Sequence, residues 1–209
     1  MKIIGLGHYS RTGKDTFANF IQSQLVKLQS PLIFQKRSLA WKLKEICHDL
    51  YGWAGLQHPE FYDTPEGATL RDVPLDTLGL TPVQVWVQFG THAVRNNVYE
   101  NTWLDYLIKG VKGVDVLVVP DIRFTNEFEA FQKAGGMMFK IVRPGYGPRN
   151  TIADRKLMTE DRWDFVIGAG GLTELNQWAS SVATHLVFGT PLPVQTSHDR
   201  SLQLSVENT

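Results

Sequence analysis

Apolar residues first appear as a short run, Lys2 to Leu6, that closes on glycine, the pattern of a buried strand. The period then lengthens. Between Lys14 and Gln29, the residues Phe17, Phe20, Ile21, Leu25 and Leu28 fall on one helical face, and Pro31 stops the helix. Leu32 to Phe34 fits a second short strand. Leu39 to Tyr51 is helical again, with Leu39, Leu43, Ile46 and Leu50 in register and Gly52 at its end. Residues 53–80 show no period; they are aromatic, acidic and broken by Pro and Gly, which predicts an irregular insert. Thr81-Pro82 supplies an N-cap with Pro at the first helical position, opening a helix to about Arg95. Trp103 to Val111 is a further short helix.

The run VDVLVVP, residues 114–120, is nearly all apolar and closes on Asp121. It reads as a parallel strand covered on both faces. A helix over Glu127 to Ala134, a break at Gly135-Gly136, a strand over Met137 to Val142 and a turn at Arg143-Pro144-Gly145 follow. Asp164 to Ile167 is the last strand and Thr173 to about Leu186 the last helix. Residues 190–209 are polar and aperiodic, an exposed, flexible tail. Strands alternating with helices imply parallel βαβ units, hence a doubly wound α/β domain of about five strands. Ligands of such sheets sit at the carboxyl ends of the strands, which directs attention to residues 6–14, 37–40, 120–123, 143–145 and 168–171. The expected organisation is one domain over 1–189. Its core is 1–38 and 113–189, its insert 39–112, and its lid the arginine-dense stretch 144–162 with Arg149, Arg155 and Arg162.

Composition narrows the partners. Of 209 residues, 43% are hydrophobic and 20% charged, enough for a core. Lys plus Arg balances Asp plus Glu at 21 each, which argues against a nucleic-acid or membrane-surface protein. The single cysteine, Cys47, forms no internal disulfide and fits a packing role in a reducing compartment. No apolar stretch approaches the roughly 20 residues of a membrane span. The chain enters a strand at once, leaving no room for a signal peptide, so a soluble cytoplasmic protein is expected. The six histidines lack metal-ligand spacing.

The chemistry begins at IIGLGHYSRTGKDTF, residues 3–17. As a dinucleotide fingerprint, Gly5-Leu6-Gly7-His8-Tyr9-Ser10 has Ser10 where Gly or Ala is needed. The second strand ends in Gln35-Lys36-Arg37, without the acid that would hold a ribose. A phosphate-binding loop fits better. Gly13-Lys14 opens a helix whose amides and dipole suit phosphate oxygens, with the lysine reaching the terminal phosphates. Two positions depart from G-x-x-x-x-G-K-[ST]: His8 stands at the first glycine, and Asp15, followed by Thr16, stands at the hydroxyl. A carboxylate is itself a hard oxygen ligand for magnesium, or simply a favourable acid at a helix N-terminus.

Arg11-Thr12-Gly13-Lys14-Asp15-Thr16, Leu39-Ala40 with Lys44, Gly90-Thr91 with Arg95, Trp103, VVPDIRFTNEFEA (118–130), Gly135-Gly136 and IVRPG (141–145) occur in that order. Together they resemble the bacteriophage (T4-type) deoxynucleoside monophosphate kinases, over about residues 2–187. The resemblance implies a P-loop nucleoside monophosphate kinase fold. It also implies a reaction moving the γ-phosphoryl group of ATP to a dNMP, with ATP and Mg2+ required. If phage-encoded, such an enzyme works in the host cytoplasm. Besides His8, the chain departs from the family at Met158-Thr159-Glu160, where a His-x-Ser/Thr-Glu stretch is usual, and at Gly168-Ala169-Gly170, where Asn-Asp-Gly is common.

Phosphoryl transfer needs two phosphates in line, charge neutralised and water excluded. Lys14, with Thr12, Gly13, Asp15 and Thr16, would hold the donor, Asp15 and Thr16 also serving the metal. Arg11 would bridge donor and acceptor phosphates, or be a solvated loop arginine. Asp121 would hold the magnesium shell or orient the acceptor, or cap the next helix. Arg123 suits bidentate capture of the acceptor phosphate, with Glu127 one turn on as its partner or as a substrate contact. Arg143 would touch the ATP side. Lys44 falls at the monophosphate site by family analogy, or on a solvated face. Gln88, Thr91 and Arg95, at i, i+3 and i+7, share one face of an α-helix and could read a base or a phosphate. Trp103 and Trp86 offer stacking surfaces, though tryptophan is more often core.

The partners expected are nucleotides, with neither nucleic acid nor membrane; a homodimer stays open. Three alternatives stand beside this reading: a dephospho-coenzyme A kinase or other small-molecule P-loop kinase, a nucleotide-binding switch suggested by Asp76-Thr77-Leu78-Gly79, and an NADP-binding oxidoreductase.

Overall fold

A computed structural model of the protein describes residues 1–7, 9–147, 157 and 160–194. In chain order its elements are β1 (Lys2–Gly7), α1 (Lys14–Lys27), β2 (Phe34–Lys36), α2 (Trp41–Tyr51), α3 (Pro65–Leu70), α4 (Pro82–Val87), α5 (Thr102–Gly110), β3 (Val116–Ile122), α6 (Thr125–Lys133), β4 (Met137–Val142), β5 (Phe165–Gly168) and α7 (Leu172–Phe188). Short 3-10 turns lie at Gly52–Ala54 and Pro59–Asp63, and a π-helical segment at Gln88–Arg95. The chain divides into two compact units, one of Met1–Arg37 with Lys112–Thr209, the other Ser38–Val111.

The first unit holds one five-stranded sheet in the order β2-β3-β1-β4-β5, every neighbouring pair parallel. This order, with helices flanking the sheet, is P-loop kinase-like. One face is sealed by α1 and α7. Phe17, Ile21 and Leu25 of α1, and Leu175, Ala179, Val182 and Leu186 of α7, bury against Ile4, Leu6, Val116, Val118, Phe139 and Ile141. Burying side chains of this size contributes roughly 1.5–3 kcal/mol each, which fixes the sheet on which the loop after β1 rests.

Three boundaries differ from the sequence expectation. β2 forms at Phe34–Lys36, not over 32–34, because Asp115 anchors the earlier residues: the Ile33 amide donates to its carboxylate at 2.9 Å. β3 runs past Pro120 to Ile122. Proline has no amide to give a central strand and is tolerated there at a bulge. A bulge is what forms: β1 advances two residues from Gly5 to Gly7 while its partners on β3 advance three, from Val119 to Ile122. Asp121 therefore lies inside the strand rather than after it.

The third difference lies in the second unit. Thr81 caps α4 as expected: its hydroxyl accepts from the Gln84 amide at 3.1 Å, and the Gln84 side chain accepts from the Thr81 amide at 2.8 Å. After Val87, however, the backbone winds as a π-helix to Arg95. Its i→i+5 bonding shifts the angular spacing away from the α-helical one. This unit has its own small core of Leu43, Cys47, Leu56, Tyr62, Val85 and Trp103. The 53–80 insert contributes Leu56 and Tyr62 to that core, so it is irregular but not loose. Gly90 sits where an added Cβ would meet Leu43 at 2.7 Å, a close approach that seats the π segment on α2.

Candidate active site

β1 delivers the chain to the loop, and two left-handed residues shape it. Gly13, the N-cap of α1, has φ 98°, and Arg11 has φ 64°. Left-handed backbone costs a non-glycine residue about 1–2 kcal/mol, so Arg11 is held there by its surroundings. Alternation of this kind turns successive amides to one side and makes an anion-binding concavity. No side chain caps α1, so its first-turn amides have no capping side chain bonded to them. The first helical bond is from the Phe17 amide to the Gly13 carbonyl, at 2.9 Å.

Lys14 is only 7% exposed. Its Nζ turns back into the loop and donates to the Tyr9 carbonyl, with Thr12 Oγ1 3.4 Å away. Thr12, fully buried, donates its hydroxyl to the same carbonyl at 3.1 Å. The ammonium is thus folded inside the loop. Asp15, by contrast, is 75% exposed in its side chain and pairs with Lys36 of β2 at 3.4 Å, while Lys36 also donates to Asn19 at 3.0 Å. Thr16 is half-buried one position later. One exposed carboxylate and one hydroxyl suit magnesium, which keeps most of its waters and takes few protein ligands. Among the described residues no cluster of three or more His, Cys, Asp or Glu could hold a metal by itself.

At the end of β3, Asp121 and Arg123 are half-buried. Glu127 is buried, and its carboxylate accepts from the amides of Arg123 at 2.9 Å and Phe124 at 3.1 Å. That is the reach-back half of a capping box; Glu127 stiffens the backbone that carries Arg123. Arg143, at the end of β4, donates from Nη1 to the Arg11 carbonyl at 3.3 Å and stacks on Tyr146. Arg11, Thr12, Gly13, Lys14 and Arg143 are thereby gathered at one loop.

Within the second unit the expected acceptor residues separate. Lys44 places its ammonium 4.7 Å from the centre of the Trp86 ring, a cation–π contact. Gln88 is exposed, Thr91 half-buried and Arg95 buried. Arg95 donates to the Glu100 carbonyl at 2.9 Å and its carboxylate at 2.7 Å. The three do not present one common face, because the 3.6-residue registry assumed for them does not hold in a π-helix. Trp103 is buried, its indole N–H donating to the Gly90 carbonyl at 3.0 Å. Cys47 is fully buried and burial pushes its thiol up to about 12, in keeping with a packing role.

His8 and much of the lid stretch, including Arg149, Arg155, Met158 and Thr159, lie outside the described residues. Arg162 is described; it forks onto Glu160 at 2.8 and 2.6 Å and reaches Glu129 at 3.3 Å. The sequence reading passed over four contributors: the Tyr9 carbonyl, Trp163, Tyr146 and Lys140. A lysine inside the apolar run MMFKIV was the available signal for Lys140, which is buried in register with Gly7.

No family model matches the chain. Two curated proteins are similar to it. A protein of Acanthamoeba polyphaga mimivirus, named provisionally as a deoxynucleotide monophosphate kinase, is 28% identical over 167 residues, covering 72% of this chain and 79% of that protein. The deoxynucleotide monophosphate kinase of Enterobacteria phage T4 is 34% identical over 92 residues, 41% of this chain and 38% of that enzyme. With its five-stranded parallel sheet and the loop at Gly13-Lys14, the chain is similar to these two deoxynucleotide monophosphate kinases.

Proposed function

We propose that the protein is a deoxynucleoside monophosphate kinase that converts ATP and a dNMP to ADP and a dNDP. The observation that carries the reading is the loop after β1, where left-handed Arg11 and Gly13, the uncapped start of α1 and the inturned Lys14 make a cationic, amide-lined hollow. Similarity to the two kinases supports the acceptor class.

In the reaction an oxygen of the acceptor phosphate bonds to the γ-phosphorus of ATP as the β–γ bridging bond breaks, and ADP leaves. Thr12, Gly13, Lys14, Asp15 and Thr16 bind the donor phosphates, Lys14 exchanging the Tyr9 carbonyl for phosphate oxygens. Arg11 and Arg143 neutralise the charge spread over the transferring group, and Arg123 holds the acceptor phosphate on a backbone braced by Glu127. Asp15 and Thr16 would hold magnesium, which would neutralise charge on the donor phosphates, and Asp121 would order its water shell or the acceptor. Lys44, Gln88 and Thr91 contact the acceptor nucleotide; Arg95 and Trp103 support them from within the packing of their unit.

A coupled ADP-release assay over all dNMPs and NMPs, with dephospho-coenzyme A included, tests this. Turnover with at least one dNMP is expected, and Lys14→Ala lowers it by a factor of a hundred or more, on the order of 3 kcal/mol of transition-state stabilisation. Preference for dephospho-coenzyme A, or turnover that survives the substitution, overturns it.

A further inference from the structure

The donor loop is tied to the end of β4 by a device that involves a residue outside the motifs. Arg143, Pro144, Gly145 and Tyr146 form a tight turn. The Tyr146 amide donates to the Arg143 carbonyl at 3.2 Å, Pro144 stands second, and Gly145, third, has φ 74°. This is the pattern of a type II turn. It folds the half-buried Tyr146 ring back under the Arg143 guanidinium, whose carbon lies 4.4 Å from the ring centre. The guanidinium then reaches the Arg11 carbonyl at 3.3 Å.

The carbonyl matters because the peptide unit is planar and trans. The carbonyl of Arg11 and the N–H of Thr12 point in opposite directions, so fixing one fixes the other. Among the described residues of the loop, Arg11 is also the one other than glycine in the left-handed region.

We propose that Tyr146 is a positioning residue for the donor nucleotide. Its ring holds Arg143 on the Arg11 carbonyl, and this locks the 11–12 peptide with the Thr12 amide turned the other way, ready for an anion. Tyr146 touches no substrate; it acts through Arg143. The inference rests on the donor-loop part of the proposed function and not on the identity of the acceptor.

The test is ATP affinity of the full chain by calorimetry, alongside KM for ATP and for the acceptor. Losing a partly exposed cation–π contact weakens ATP binding roughly two- to fivefold. Tyr146→Ala is expected to raise Kd and KM for ATP by that factor, with acceptor KM and thermal midpoint unchanged, and Tyr146→Phe to restore wild-type values. Gly145→Val, where an added Cβ meets nothing within 4 Å, strains only the turn and should reproduce the Tyr146→Ala effect. In an Arg143→Ala background, Tyr146→Ala should add nothing. Wild-type ATP affinity in Tyr146→Ala, or full additivity with Arg143→Ala, overturns the proposal. If the wild type binds ATP more tightly than Tyr146→Ala yet phosphorylates no dNMP, the positioning role stands and the kinase assignment fails.

Discussion

The indole of Trp163 lies directly over Gly7: a Cβ on that glycine would come within 2.1 Å of the ring. The ring cannot easily retreat. Its N–H donates to the Glu160 carbonyl at 2.9 Å, and its plane meets Phe128 edge-on with centroids 4.8 Å apart. Gly7→Ala therefore forces Trp163 or the end of β1 to move. Overpacking of this kind costs about 1–3 kcal/mol, and the moving end of β1 carries the donor loop. The expected result is a lower thermal midpoint together with a raised KM for ATP, checked by calorimetric melting and steady-state kinetics. A fully stable variant with normal ATP kinetics would show that the contact relaxes without consequence.

Glu127 should behave as a brace rather than a substrate contact. Glu127→Ala strands the Arg123 and buried Phe124 amides, a loss of about 1–2 kcal/mol. Glu127→Gln keeps an acceptor and loses less. Denaturant unfolding of the two variants gives the order, and acceptor KM should rise in parallel with the loss. A large kinetic defect in the glutamine variant at unchanged stability would instead make Glu127 a direct ligand.

Arg95, expected from sequence at the acceptor site, is bonded to Glu100 within its own unit. Arg95→Ala removes two bonds to Glu100 and is expected to destabilise by about 1–2 kcal/mol. The exposed position of Glu100 holds the figure down, because its carboxylate regains water. Gln88→Ala, at an exposed position, should leave stability alone and move acceptor KM. Equilibrium unfolding and acceptor titration separate the two.

Cys47 sets an alkaline limit. Burial disfavours its thiolate and raises the folded-state value to about 12, above the roughly 8.5 of an exposed thiol. Between these values the unfolded chain has released the proton and the folded chain retains it. Stability from this group is therefore whole below about pH 8.5 and declines as pH rises toward the folded value. Thiol-reactive reagents at pH 8 should modify the native protein at the rate of local or global opening, and Cys47→Ser should abolish labelling.

The sheet was legible because its strands are nearly continuous apolar runs, and the donor loop because glycine and lysine sit between a strand and a helix. What escaped was set by contacts across long sequence separations. Nothing near Gln88 announces a π-helix; it follows from seating Gly90 against Leu43. Arg143 was marked by its motif, but the partner that orients it, Tyr146, has no signature of its own. Pro120 looked like a terminator because the rule for proline in strands is local, whereas the bulge that accommodates it depends on the pairing with β1.

That bulge decides where a carboxylate goes. In-register neighbours share a face, so an unbroken pairing would set Asp121 beside Gly7, toward Trp163 and Phe128. The supernumerary residue puts Ile122 there instead, fully buried. Counting, not attraction, keeps the acid out of an aromatic interior. Residues 119–122 should tolerate no shortening, since a single-codon deletion would turn the strand over and drive a charge inward.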